Sequence, residues 1–204
     1  MIMRHRRQEG FAVALGSFAL LCCPSYASAH LVTTGMGPVY DGLGHLLLTP
    51  EDLVPVLALA FYAGLQGALP GRRTMFLLPV AWLVGGLAGS AINGVTSFPV
   101  PAISFLLLGG LVAADVCMPP IAITVLPILM GLVHGFLNGS ALKDGAGTLG
   151  LVGITIMLFV LVALASAFVV SLKKPWMRIA IRVVGSWVFA TGLLMLGWML
   201  KGQG

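Results

Sequence analysis

The chain has 204 residues, of which 59% are hydrophobic and 8% charged, with a formal net charge of +5. Soluble domains carry roughly a quarter charged residues, so a mean hydropathy of +1.06 leaves too little polar surface for a water-soluble globule and excludes that class. At about 20 apolar residues per crossing, the length allows six or seven membrane spans and no sizeable extramembrane domain.

The amino-terminal segment reads as a secretory signal peptide over residues 1–29. Arg4, Arg6 and Arg7 form a basic n-region, Phe11 to Cys23 an apolar h-region ended by Pro24, and Ala27-Ser28-Ala29 an A-x-A cleavage site. Ser25-Tyr26-Ala27 offers a second cut two residues earlier. A cut after Ala29 makes His30 the first mature residue, where a free amine beside an imidazole would form a chelating pair suited to copper or nickel. The plainer alternative is that His30 is merely what the cut leaves. Cys22 and Cys23 depart with the signal, so Cys117 stands alone and neither a disulfide framework nor a Cys-rich metal site can form.

Residues 30–204 are expected to be one all-α transmembrane domain of six spans. A short helix within Pro38 to Leu48 precedes them, too short to cross and return, and rests on or dips into the outer leaflet. Thr49-Pro50-Glu51-Asp52 then reads as a helix start, with Thr49 as N-cap, Pro50 at the first helical position and two acids facing the positive dipole end. The spans are expected at 50–69, 74–92, 98–116, 121–138, 147–172 and 176–200. With the start outside, Arg72, Arg73, Lys173, Lys174, Arg178 and Arg182 fall on the inner side, and Lys143 and Lys201 on the outer. That bias agrees with the signal peptide and predicts a multi-pass protein of the bacterial inner membrane with a periplasmic mature N-terminus. Gly85-x-x-x-Gly89 and Gly131-x-x-x-Gly135-x-x-x-Gly139 are small-residue faces for close helix packing.

The few polar residues at membrane depth gather toward the outer side. Asp41 and His45, spaced i, i+4, share one helix face and could ligate a metal or bond to each other. His134 and Asn138 repeat the spacing, where the alternative to a ligand role is interhelical hydrogen bonding. Ionisable groups at this depth are costly and mark ion or proton pathways, so His45, Asp41, His134 and Asn138, with His30, form the candidate metal site. Imidazoles with a carboxylate and an amide oxygen suit a borderline divalent ion such as nickel, cobalt or zinc; Met130, one turn before His134, would tilt the set toward copper, but a methionine in an apolar helix is far more often a packing residue. Glu51 and Asp52 are explained by capping.

Other features carry less. Gly145 to Gly150 fits G-x-G-x-x-G without a preceding strand and is not a dinucleotide site. Asp115 and Cys117, at the inner end of the third span, could form an exit site for an ion, but a solvated loop acid beside a packing cysteine is the favoured reading, and the inner basic residues read as reporters of orientation. Ser90, Ser104 and Ser186 have no matching His and Asp for nucleophilic catalysis, so no enzyme activity is expected. Nucleic-acid binding is unsupported.

The run from Gly37 to Leu48 containing Asp41 and His45, a span ending Ala63-Gly64-Leu65-Gln66-Gly67, and Gly131-Leu132-Val133-His134-Gly135-Phe136-Leu137-Asn138-Gly139 together resemble the HupE/UreJ family. The resemblance implies a small polytopic permease for nickel, sometimes cobalt. In the family the first motif resembles H-P-x-x-G-x-D-H and the later one H-G-x-A-H-G. His45 then stands for the second histidine of the first motif and His134 for the first histidine of the later one. Asp41 is displaced by three residues, the leading histidine is missing, and Asn138 stands where a histidine is expected, as in a divergent branch.

The favoured expectation is thus a permease that passes a divalent metal, nickel first and then cobalt, zinc or copper, from periplasm to cytoplasm, the ion being cargo and no permanently bound cofactor being expected. The alternatives are a haem-binding electron-transfer protein with His45 and His134 as axial ligands, and an accessory subunit of a membrane complex. Lipid bilayer and metal ion are the expected partners, with a homo-oligomer or a membrane complex as further associations.

Overall fold

A computed structural model describes residues 33–92 and 99–201. The expected signal peptide and His30 lie outside the described residues. Within them the chain forms seven helices and no strand: α1 (Pro38–Leu48), α2 (Pro50–Gln66), α3 (Ala68–Ala91), α4 (Val100–Ala114), α5 (Pro120–Leu142), α6 (Gly147–Ser171) and α7 (Pro175–Lys201). The six expected spans correspond in order to α2 through α7. Four of these, α3, α5, α6 and α7, are long and apolar enough to cross a membrane singly. Helices α1 and α2 pass together as a pair bent by 75°, and α4 has 15 residues.

The helix ends follow local chemistry. Thr49 breaks α1 from α2 with an extended backbone, and Pro50, which has no N–H to lose, occupies the first position of α2. The expected Thr49 side-chain cap is not made; the Thr49 carbonyl instead accepts from the Asp52 and Leu53 N–H groups. Gly67, at φ 118, separates α2 from α3, a conformation that L side chains rarely adopt. Helix α3 consequently starts at Ala68 rather than 74 and carries Arg72 and Arg73 in its first turns, where long stems can reach an interface.

Helices α3 and α5 run parallel in close contact. Leu78 and Trp82 face Gly131, Trp82 faces Gly135, and Gly86 faces Gly139, while Gly85 and Gly89 meet the Leu132 and Phe136 backbones. Both expected small-residue faces therefore pack against each other. Helices α4 and α7 form a second pair, antiparallel, with Gly109 against Gly185 and Phe189, and Gly192 against Phe105 and Leu106. Helix α2 lies parallel to α6, Gly64 against Ser166 and Val169, and α1 rests on the start of α6, Gly42 against Gly150 and Val39 against Gly153. Successive helices from α2 to α7 thus alternate in direction. The core between them holds Val56, Leu59, Tyr62, Trp82, Ile154 and Leu158, all fully buried.

At the end carrying the basic residues, Asp115 closes α4 in a left-handed conformation, φ 52. It is not the solvated acid expected: its two oxygens accept from Arg178 Nε at 2.6 Å and Nη2 at 2.8 Å. Arg182 donates to the Ala113 carbonyl, and Tyr62 and Gln66 both donate to the Val116 carbonyl. Arg178 and Arg182 therefore fasten the α4 terminus to α7, beyond any part in orientation.

The α3–α5 contact yields a prediction. A Cβ on Gly139 would overlap the Gly86 carbonyl, whereas one on Gly197 of α7 meets nothing within 4 Å. Gly139→Ala should cost about 1–3 kcal/mol through forced separation of the backbones, read as a lowered midpoint of thermal unfolding in detergent, while Gly197→Ala should leave the midpoint essentially unchanged.

Candidate functional site

Three helices bring one polar cluster into the apolar interior. Asp52 comes from the first turn of α2, Ser104 from the second turn of α4, and His134 and Asn138 from successive turns of α5. Asp52, His134 and Asn138 are 7%, 1% and 4% exposed. A buried carboxylate demands donors, and Asp52 has them: His134 Nδ1 lies 2.7 Å from its Oδ1, and Asn138 Nδ2 donates to its Oδ2 at 2.8 Å. The Asn138 amide also donates to the His134 carbonyl at 3.0 Å. On its other side His134 Nε2 is 2.8 Å from Ser104 Oγ.

An ionised carboxylate only accepts, which requires a proton on His134 Nδ1. In the neutral imidazole the second nitrogen, Nε2, is then an acceptor and Ser104 its donor. The ring stacks on Trp82, centroids 5.5 Å apart and planes 30° apart, and the glycine contacts of α5 place Trp82 there. Two polar atoms beside this cluster are buried without a partner: Asn138 Oδ1 and Trp82 Nε1. One is an open acceptor and the other an open donor.

Between α4 and α5 lies a partly open cavity of about 300 Å³, lined by apolar side chains of both helices, among them Val100, Leu107, Leu126 and Met130, with Ser104 and His134 as its polar members. A second hollow, about 210 Å³, sits at the opposite end among Gly64, Gly67, Val169, Leu172 and Arg178.

Of the residues singled out in the sequence, His134 and Asn138 are brought together, and they are joined by Asp52, whose place in the first turn of α2 has a local explanation in capping. Asp41 is elsewhere: its Oδ1 accepts from the Thr34 N–H at 2.6 Å and the Thr34 hydroxyl at 2.7 Å, in place of a bond to His45. His45 is half-buried on α1. Among the described residues no three His, Cys, Asp or Glu side chains group to hold a metal ion. The haem reading gains no observation in its favour. The expectation that Ser104 lacks a matching His and Asp is overturned, because α2, α4 and α5 bring them from distant parts of the chain.

Comparison with known proteins gives a consistent answer. The family described as HupE / UreJ protein matches residues 18–195. A curated relative, Protein HupE of Rhizobium leguminosarum bv. viciae, is 28% identical over 143 residues, 67% of this chain and 71% of the relative. No solved structure matches.

The hydrogen bonds predict which acid matters. Asp52→Ala would strand the His134 N–H and the Asn138 amide, and loss of one partner from a buried pair costs about 3–5 kcal/mol. Glu51→Ala, at an exposed position, should stay within about 0.5 kcal/mol. Thermal unfolding of the two variants side by side checks the difference; equal midpoints would refute the inward role of Asp52.

Proposed function

The chain belongs to the HupE/UreJ family, and from that premise we propose that it is a membrane permease passing a divalent transition-metal ion, nickel foremost, from periplasm to cytoplasm. The observation that carries the reading is the Asp52–His134–Asn138 cluster, buried among apolar helices with one amide oxygen left open. Ionisable groups are retained at such depth where an ion or proton passes. Packing alone would be served as well by apolar side chains.

The chemistry of the cluster suits a borderline cation. Asp52 orients the imidazole through Nδ1, the arrangement by which carboxylates prepare histidine ligands. Nε2 then faces Ser104 and can exchange that hydrogen bond for the cargo. Asn138 Oδ1 offers a neutral oxygen, and Asp52 balances charge. Asp41 and His45 on α1, with His30 at the mature N-terminus, are assigned the first capture from outside. Six crossings, with Arg72, Arg73, Lys173 and Lys174 inside, complete the proposed topology in the inner membrane.

The test is nickel accumulation by cells at limiting external metal. His134→Ala and Asp52→Asn should reduce uptake about tenfold or more at equal protein in the membrane, and His45→Ala should raise the external concentration needed for half-maximal uptake. Unchanged uptake in His134→Ala and Asp52→Asn would sink the proposal, and unchanged uptake in His45→Ala alone would remove α1 from the route.

A further inference from the structure

Hydroxyl side chains inside apolar helices ordinarily bond to a carbonyl one turn back in their own helix. Thr124, Thr155, Ser166, Ser171, Ser186 and Thr191 all do so. Ser104 does not. Its hydroxyl reaches across to His134 Nε2 at 2.8 Å, and the far side of that imidazole is held by Asp52 at 2.7 Å. The chain of bonds runs hydroxyl, imidazole, carboxylate, with the proton on Nδ1 fixed by the acceptor-only carboxylate. This is the order in which a serine is made nucleophilic by a neighbouring base whose tautomer is set by an acid. The exposure gradient also fits. Asp52 and His134 are buried, whereas Ser104 is half-buried and lines the cavity between α4 and α5.

We propose that Ser104 is the nucleophile of an intramembrane acyl-transfer site whose substrate is an uncharged, lipid-soluble ester. The cavity selects that class: its walls are aliphatic apart from Ser104 and His134, and its volume of about 300 Å³ is at the lower end of small-molecule pockets. Ser104 Oγ forms a bond to the ester carbonyl carbon as its proton passes to His134 Nε2. The carbonyl–alkoxy bond breaks, and the leaving alkoxy oxygen takes that proton to depart as the alcohol. Water then attacks the acyl-serine, giving its proton to His134, and the acid leaves as the hydroxyl is restored.

The experiment uses the full chain in detergent, without added nickel, treated with an alkyl fluorophosphonate and read by peptide mass spectrometry. The expected result is one phosphonyl adduct per chain, on Ser104, with fluoride released. His134→Ala should slow its formation about a hundredfold or more, the scale of a lost general base. His134→Gln serves the same purpose should the alanine variant not fold. p-Nitrophenyl butyrate should be turned over by the wild-type chain and not by Ser104→Ala. A folded wild-type chain that gains no adduct at Ser104 with millimolar probe overturns the proposal, as does an adduct formed equally fast without His134. Nickel uptake is read separately, so failure here leaves the transport reading standing, and failed uptake leaves this one.

Discussion

Asp52 is a carboxylate almost wholly buried among apolar helices, and the arrangement of this end of the bundle follows from that. In an apolar interior the charged form is tolerated only if donors replace its hydration. Two donors arrive from one helix, His134 and Asn138, four residues apart and so on the same face of α5. They also take both carboxylate oxygens, which locks the rotation of α5 relative to α2. The two helices have few other contacts, so this polar junction is the main link between them.

That junction depends in turn on glycine. His134 reaches Asp52 because α5 is drawn against α3 at Gly131, Gly135 and Gly139, each so close to the α3 backbone that no side chain fits between. Dispersion packing of this kind substitutes in a bilayer for the hydrophobic drive that holds soluble helices together. The ring of Trp82, carried by the same stretch of α3, covers one face of His134. Helix α4 is fastened elsewhere, to α7 through Gly109, Gly185 and Gly192 and at its terminus through Asp115 and Arg178. Neighbours in sequence, α4 and α5 therefore belong to different packed pairs, and the cavity bordered by Ser104 lies in the seam between them.

Much of this was legible in the sequence. Apolar length located the helices to within a few residues at most boundaries, because a helix in lipid satisfies its own backbone and ends where proline, glycine or charge intervenes. The Gly-x-x-x-Gly runs announced close packing, and the rarity of polar residues in the apolar segments drew attention to His134 and Asn138. Asp52 and Ser104 were missed for a physical reason. An acid after Thr-Pro-Glu has a sufficient local explanation in the helix dipole, and a lone serine in a helix has one in back-bonding to its own turn. Only the tertiary arrangement shows that both have instead turned inward. Proline two positions before Asp52 was the signal available, since it fixes the first turn and hence which face each following residue presents. Asp41 is spaced correctly to pair with His45, but Thr34, before the helix, supplies its donors instead.

The two uses proposed for His134 draw on one geometric fact. Once Asp52 has claimed the proton on Nδ1, the remaining nitrogen is an oriented lone pair, and an oriented lone pair serves a metal ion and a hydroxyl proton equally well. What separates the uses is the surroundings of the ring. On its Nδ1 side lie the oxygens of Asp52 and the Asn138 amide, which favour a cation. Toward Ser104 lie a hydroxyl and an aliphatic cavity, which exclude a hydrated ion and admit an uncharged molecule. Helix α5 therefore presents its imidazole at the boundary of two chemically different compartments. A cation bound at Nε2 would displace the Ser104 hydroxyl, and in doing so it would remove the base that a nucleophilic Ser104 requires. Occupancy by cargo and reactivity of the serine are mutually exclusive on this geometry.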